Sequence, residues 1–404
     1  MARPLVLIGA CLVLLLGAGV WVGVRHSSGD ERPDDTETTS PVQDFLEPWY
    51  EAVRDQDQAP ARVVVVGDSI SEGALLPAPV VENRFVGLLQ EKLRESQGIE
   101  GGGGFHPPFY ADQLTPDDTV RGGPASIELT FGKWGLGGRA LLMPAGATLT
   151  YPAQAATSVR VWYGEMEAFA GAAQVVVDGV DITAAGTLSS GEASGPEISA
   201  SGAVPRAGLW WQSPPLGSGE HAVQVRSVTP QAAFVHSGVE FFDGDEESGV
   251  HVVDASHAGA STNHFVTTDM QSGHWADIAA LDPQLILVNL GTNVDPDYSH
   301  NLNLVVRLAL EAAPSAQVLL VDGYEPGHWR HEDWVEVRAA RAEVAARYAD
   351  RVAVFDLAAH WPTLAKDGST NEGLMLEAIL PIHPNVAGHE RMAEVLAELL
   401  TPPE

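Results

Sequence analysis

Four short segments of the 404-residue chain carry side chains of the kinds that acyl transfer uses. The first, Gly67-Asp68-Ser69-Ile70-Ser71-Glu72-Gly73, follows the apolar run Val63–Val66. A Ser on a tight turn between a strand and a helix can project its hydroxyl into a cleft and turn its own N–H toward an oxyanion. The second, Val252-Val253-Asp254-Ala255-Ser256-His257-Ala258-Gly259-Ala260-Ser261, runs from β-branched residues into a small-residue loop. Gly259 would let the backbone approach a substrate closely and offer an amide donor. The third, Leu287-Val288-Asn289-Leu290-Gly291-Thr292-Asn293, ends in an Asn whose side-chain amide can donate to a developing oxyanion. The fourth, Ile382-His383-Pro384-Asn385, places a His able to act as general base just before a helical pattern. Each segment also has an ordinary structural reading: a Ser/Asp helix cap, a turn glycine, an Asx turn, and a packing His beside a cap.

The elements that must position these residues are legible from periodicity. Val63–Val66, Val250–Ala255, Leu285–Leu290, Gln317–Asp322 and Val352–Leu357 are continuous apolar runs, as expected of strands buried on both faces of a parallel sheet. Between and after them lie helical patterns. Val81, Phe85, Leu88, Leu89 and Leu93 share one face, as do Met392, Val395, Leu396, Leu399 and Leu400, and Val335–Ala349 is rich in helix formers. Strand alternating with helix predicts a doubly wound α/β domain, whose ligands bind at the carboxyl ends of its strands. The alternation breaks over residues 105–249, where short β-like runs sit among Gly- and Pro-rich turns. That pattern predicts an inserted all-β domain, β-sandwich or jelly-roll-like, entered at Gly101–Gly104. The α/β domain is then residues 60–104 plus 250–401.

Taken together and in this order, the four segments resemble the SGNH (GDSL-like) hydrolase superfamily, whose members carry Ser, Gly, Asn and His in four blocks. The resemblance covers residues 61–104 and 250–401, and it implies a flavodoxin-like sheet and a serine esterase without cofactor or metal. By the same resemblance Ser69 is the nucleophile, His383 the base, and the Ser69 amide, Gly259 and Asn293 the oxyanion-hole donors. There is one departure of consequence. The family usually carries an Asp three residues before the His, to hold the imidazole's tautomer, and that position here is Leu380. Three readings follow: a backbone carbonyl near Leu380 accepts the Nδ1 proton, Glu377 or another acid reaches His383, or the domain has lost its chemistry. A smaller departure is Val294, where the family often has Asp.

Composition bounds the partners. With 22 Lys+Arg against 54 Asp+Glu, a formal charge of -32 excludes a phosphate-backbone partner, which needs a basic surface. The apolar fraction of 45% excludes global disorder, and a single Cys excludes a disulfide scaffold or a Cys-based zinc module. The 14 His include no H-E-x-x-H, so no catalytic metal is expected. Residues 5–24 carry no charge between Arg3 and Arg25, long enough for a membrane span. Residues 1–24 therefore read as a signal peptide or an N-terminal membrane anchor, with a lipoprotein signal at Cys11 as a third option, and each of these exports the rest. Residues 25–59 read as a disordered acidic linker. The expected function is an extracytoplasmic esterase removing acyl groups, with acetyl foremost, from polysaccharide or a related small ester. Its only membrane contact would be the N-terminal segment. SGNH enzymes with an extra β-sandwich often resemble carbohydrate deacetylases, and the adjacent Trp210 and Trp211 could offer a sugar-stacking face. The alternatives are a catalytically impaired glycan-binding or envelope protein, and a lipid esterase.

Overall fold

A computed structural model describes residues 41–124, 127–364 and 373–403. The expected leader, residues 1–24, and the first part of the expected linker, residues 25–40, lie outside the described residues. Among those described, no helix is long and apolar enough to cross a membrane.

Five strands, β1 (Ala61–Gly67), β2 (Val250–Asp254), β3 (Leu285–Asn289), β4 (Gln317–Val321) and β5 (Val352–Phe355), form one parallel sheet in the order β2-β1-β3-β4-β5. This is the flavodoxin-like order. Strand side chains alternate between faces, so a run of four valines fills two cores. Val63 and Val65 pack with helices α4 (Phe85–Gln97) and α8 (Val386–Leu400), through Leu89, Leu93, Met392 and Leu396. Val64 and Val66 pack on the opposite face with α5 (His274–Leu281), α6 (Tyr298–Ala312) and α7 (His331–Arg347), through Trp275, Ile278, Leu302 and Val344. Register aligns the strands' carboxyl ends: Val65 lies beside Asp254 and Gly67 beside Asn289. The loops after β1, β2 and β3 therefore leave the sheet side by side.

The inserted segment is all β. One antiparallel sheet is built around Ser158–Glu165 and Ala233–Phe242, the other around Ala172–Val177 and Val223–Ser227. Val161, Trp211 and Phe234 from the first share a core with Val175, Val223 and Val225 from the second, which makes the insert a sandwich.

The expected linker is a correction. Within residues 41–59 the chain forms α1 (Pro41–Phe45) and α2 (Glu47–Arg54). Trp49, Tyr50 and Val53 of α2 are buried, and the Trp49 indole and Tyr50 hydroxyl donate to the Leu400 and Leu399 carbonyls at 2.9 and 2.7 Å. Burial is worth about 2 kcal/mol for each large apolar side chain. Three such residues on one helical face hold the segment down despite its acidic surroundings.

Candidate active site

Ser69 opens the one-turn helix α3 (Ser69–Glu72) directly after β1. Asp68 caps that helix. Its Oδ1 accepts the Ile70 N–H at 3.0 Å, and its Oδ2 accepts the Thr292 N–H at 3.3 Å. One buried carboxylate thus joins the Ser turn to the loop that carries Asn293. Its burial pushes its pKa up, against the two amide bonds that lower it. Ser69 is buried, keeping 8% of its surface accessible.

His383 Nε2 lies 3.2 Å from Ser69 Oγ. On its other side, His383 Nδ1 lies 2.6 Å from Glu377 Oε1, while Glu377 Oε2 accepts the N–H groups of Ile382 and His383 at 3.0 and 2.8 Å. The local backbone explains how an acid six residues upstream reaches the ring. Leu376 N–H donates to the His383 carbonyl and Asn385 N–H to the Leu374 carbonyl, so the segment folds back on itself as a hairpin. Glu377 follows the paired residue and faces His383 across the turn. Burial pushes its pKa up, but the bonds from the His383 ring and the two amides outweigh that and hold it at about 2.

The alternative orienter, a backbone carbonyl near Leu380, is corrected by this arrangement. Nδ1 meets a carboxylate, and the Pro381 carbonyl is taken by the Gly327 N–H at 2.7 Å. Leu380 stands in the left-handed region at φ 50° and is partly exposed, at the tip of the turn that Glu377 spans. The base loop is anchored further by Tyr324, whose hydroxyl donates to the Ile382 carbonyl at 2.6 Å.

The other expected residues emerge at the same end of the sheet. Gly259 sits in a turn at φ 79° with open space around it. Its neighbour Ala258 donates its N–H to Glu72 of α3. The Asn293 amide donates to the Ala260 carbonyl at 3.1 Å, which ties the second loop to the third. Asp295 adds a second tie that the sequence reading missed: its Oδ2 accepts from the Thr262 hydroxyl at 2.6 Å and the Asn263 N–H at 3.1 Å. An Asp two places after the Asn binds the neighbouring loop, although Val294 occupies the place where the family often has one.

The speculative tryptophans are a further correction. Trp211 is wholly buried in the sandwich core, its indole N–H on the Thr183 carbonyl at 3.0 Å. Trp210 is half-buried against the hydrolase core, with the Arg160 guanidinium 4.5 Å from its ring centre. Alternation along a strand sends the two rings to opposite faces, one wholly buried and one partly covered, so the pair forms no open stacking platform. Trp329 instead lines a cleft that Asn293 borders. An open cleft of about 930 Å³ begins at Thr292 and Asn293 and runs past His328 and Trp329 to Asp333 and Glu336 of α7. No group of three or more His, Cys, Asp or Glu among the described residues is arranged to hold a metal ion.

Residues 237–391 match the GDSL-like lipase/acylhydrolase family. That match starts well after Ser69, so the nucleophile block joins the matched region through β1 and not through sequence continuity. No curated protein matches the chain. Among solved structures, one described as a peptidoglycan O-acetylesterase in action has a TM-score of 0.59 at 16% identity, covering 90% of this chain and 95% of that one. A family two carbohydrate esterase from Cellvibrio japonicus aligns at 13% identity over 70% of this chain and 97% of that one, with a TM-score of 0.29. Residues 237–391 thus carry the GDSL-like lipase/acylhydrolase match, and the chain has a fold shared with an esterase of the SGNH type.

Proposed function

We propose that the chain is an exported serine esterase that removes acetyl groups from O-acetylated cell-envelope polysaccharide. The observation that carries the reading is the line Ser69–His383–Glu377, with contacts of 3.2 and 2.6 Å. Ser69 Oγ attacks the ester carbonyl while His383 Nε2 takes its proton. The imidazolium then gives that proton to the departing sugar oxygen, leaving acetyl on Ser69. Water, deprotonated by the same nitrogen, releases acetate and restores the hydroxyl. The amides of Ser69 and Gly259 and the Asn293 side chain hold the oxyanion in each tetrahedral step. Glu377 fixes the ring with Nδ1 protonated and Nε2 free to accept.

What supports a glycan as the alcohol is the cleft beside Asn293. Cavities of 300–1,000 Å³ are typical of small-ligand sites, and this one has Trp329 in its wall and carboxylates at its far end. The fold shared with a peptidoglycan O-acetylesterase favours an envelope glycan, and the uncharged run at residues 5–24 favours export. A silent, glycan-binding scaffold rests on two features, Leu380 and the large insert, and the Glu377 contact with His383 speaks against the first.

The test is acetate release from O-acetylated peptidoglycan, acetylated xylan and p-nitrophenyl acetate by the wild type and by Ser69→Ala. Loss of release in the variant supports the mechanism, and equal rates would overturn it. Preference between the two polymers decides the substrate.

A further inference from the structure

We propose that the inserted domain is a working part of the active site, through Arg139 and its partner Glu72, which act together as positioning residues for the Gly259 oxyanion loop. The inference rests on the reading of Ser69 as nucleophile and Gly259 as an oxyanion donor.

Glu72 closes the helix that Ser69 opens, and its side chain has no accessible surface. Its two oxygens reach in different directions. Oε2 accepts the N–H of Ala258, the residue before Gly259. Oε1 accepts the N–H of Ala111 and lies 3.2 Å from Arg139 Nη1, both groups belonging to the insert. Arg139 is equally inaccessible, and its Nη2 donates to Asp254 Oδ2 at 2.7 Å. Asp254 ends β2 and opens the loop, its Oδ1 accepting the Ser256 N–H at 3.0 Å and its Oδ2 also meeting Arg84. Residues 254–258 are therefore clamped at both ends by one carboxylate–guanidinium pair, half of it supplied by each domain.

A second contact from the insert presses on the same loop. The Gly137 carbonyl lies 2.6 Å from His257 Nδ1, and a Cβ at Gly137 would stand 1.9 Å from the Ser256 carbonyl oxygen. Backbone meets backbone there, so the insert leaves the loop no room to retreat.

An Arg spanning two carboxylates in fork geometry fixes direction as well as distance. Oxyanion donors act through distance: removing one costs about 100- to 1,000-fold in kcat, and a displacement of about 1 Å costs about 100-fold. The Glu72–Arg139 pair touches neither substrate nor reacting atoms, so its loss should lower kcat and leave KM nearly unchanged.

The test uses the full chain with p-nitrophenyl acetate, and a fluorophosphonate probe to count working Ser69 sites. Glu72→Gln keeps the shape and weakens the pair. It should lower kcat per titrated site by about 10- to 100-fold with KM within about threefold, and Arg139→Lys should retain more turnover than Arg139→Met. Wild-type turnover per titrated site in Glu72→Gln, with any loss confined to the number of sites, overturns the proposal. If Glu72→Gln does not fold, the Lys against Met comparison at 139 decides, and equal turnover per site in those two overturns it. Ser69→Ala separates the underlying reading: activity surviving there defeats the nucleophile assignment, whereas an inactive Ser69→Ala beside an unimpaired Glu72→Gln defeats only the positioning role.

Discussion

Glu377 holds His383 twice, by the ring through Oε1 at 2.6 Å and by the backbone through Oε2 at 2.8 Å, so a single carboxylate sets both where the base sits and which way it faces. Glu377→Gln should therefore lower kcat on p-nitrophenyl acetate by up to about 10,000-fold, the loss seen when a triad acid is made an amide. Glu377→Asp, one methylene shorter, cannot bridge the turn and reach the ring together, and should fall between the two. Steady-state kinetics beside circular dichroism check this, and a Glu377→Gln enzyme with wild-type kcat would refute it.

The same carboxylate predicts an acid limit. Its folded pKa of about 2 lies below its ordinary 4.5, so the fold favours the charged form. The unfolded chain then binds more protons between those values, and stability rises with pH there. The contribution is complete above about pH 4.5 and is lost as pH falls toward about 2. Thermal melts at pH 5 and pH 3 should show wild type losing more stability between them than Glu377→Gln. Equal losses would remove Glu377 from the acid response.

Asp277 works in the opposite direction. It is buried on α5, accepts the Gly208 N–H of the insert at 2.6 Å, and is pushed by burial from 3.8 up to about 7, with its backbone bonds opposing. Here the folded chain binds the extra proton, so stability is complete below about pH 4 and is lost as pH rises to about 7. Asp277→Asn keeps a neutral acceptor for Gly208 and removes that slope. Its melting temperature relative to wild type should be higher at pH 8 than at pH 5, and a constant difference would contradict the assignment.

The α/β order and the four loops were legible because buried parallel strands leave an apolar signature, and because each block follows one. The helices within residues 41–59 were not: Trp49, Tyr50 and Val53 form too short an apolar stripe to stand out in an acidic, Pro-containing segment. Glu377 was visible only as one of several acids. Its role depends on the hairpin that brings Leu376 to His383, a pairing that side-chain types alone do not announce. Arg139 was hidden for a different reason. It lies in the insert, 70 residues from Ser69, and only the packing of the sandwich on the β2 loop brings it to Glu72 and Asp254.

Gly327 predicts how tightly the base loop must be held. Its N–H donates to the Pro381 carbonyl, and a Cβ there would stand 2.6 Å from the Pro381 nitrogen and 2.9 Å from the Leu380 carbonyl carbon. Gly327→Ala must therefore push residues 380–381, and His383 follows two residues on. Its kcat should fall by about 10- to 100-fold on the scale expected for a displacement near 1 Å, with stability reduced by about 1–3 kcal/mol for the overpacking. A variant with unaltered kcat would mean that the loop is positioned by Tyr324 and Glu377 alone.

Trp329 tests whether the cleft receives the sugar. Its half-buried ring lies in the cleft wall, while p-nitrophenyl acetate needs only the space around Ser69. Loss of one aromatic contact worth about 1.4 kcal/mol corresponds to a tenfold change in binding. Trp329→Ala should raise KM for O-acetylated oligosaccharides about tenfold while changing KM for p-nitrophenyl acetate less than twofold, and Trp329→Phe should lie between. The lining also gives the sign of the charge preference. Asp295, Asp333 and Glu336 line the cleft, and Arg330, the one Lys or Arg lining it among the described residues, is bound by Asp333 with Nε at 2.8 Å. Neutral acetylated glycans should therefore be turned over faster than uronic-acid polymers of equal acetyl content. Raising salt should narrow that gap, because screening weakens repulsion between exposed charges. A preference for the anionic polymer at low salt would place the sugar somewhere other than this cleft.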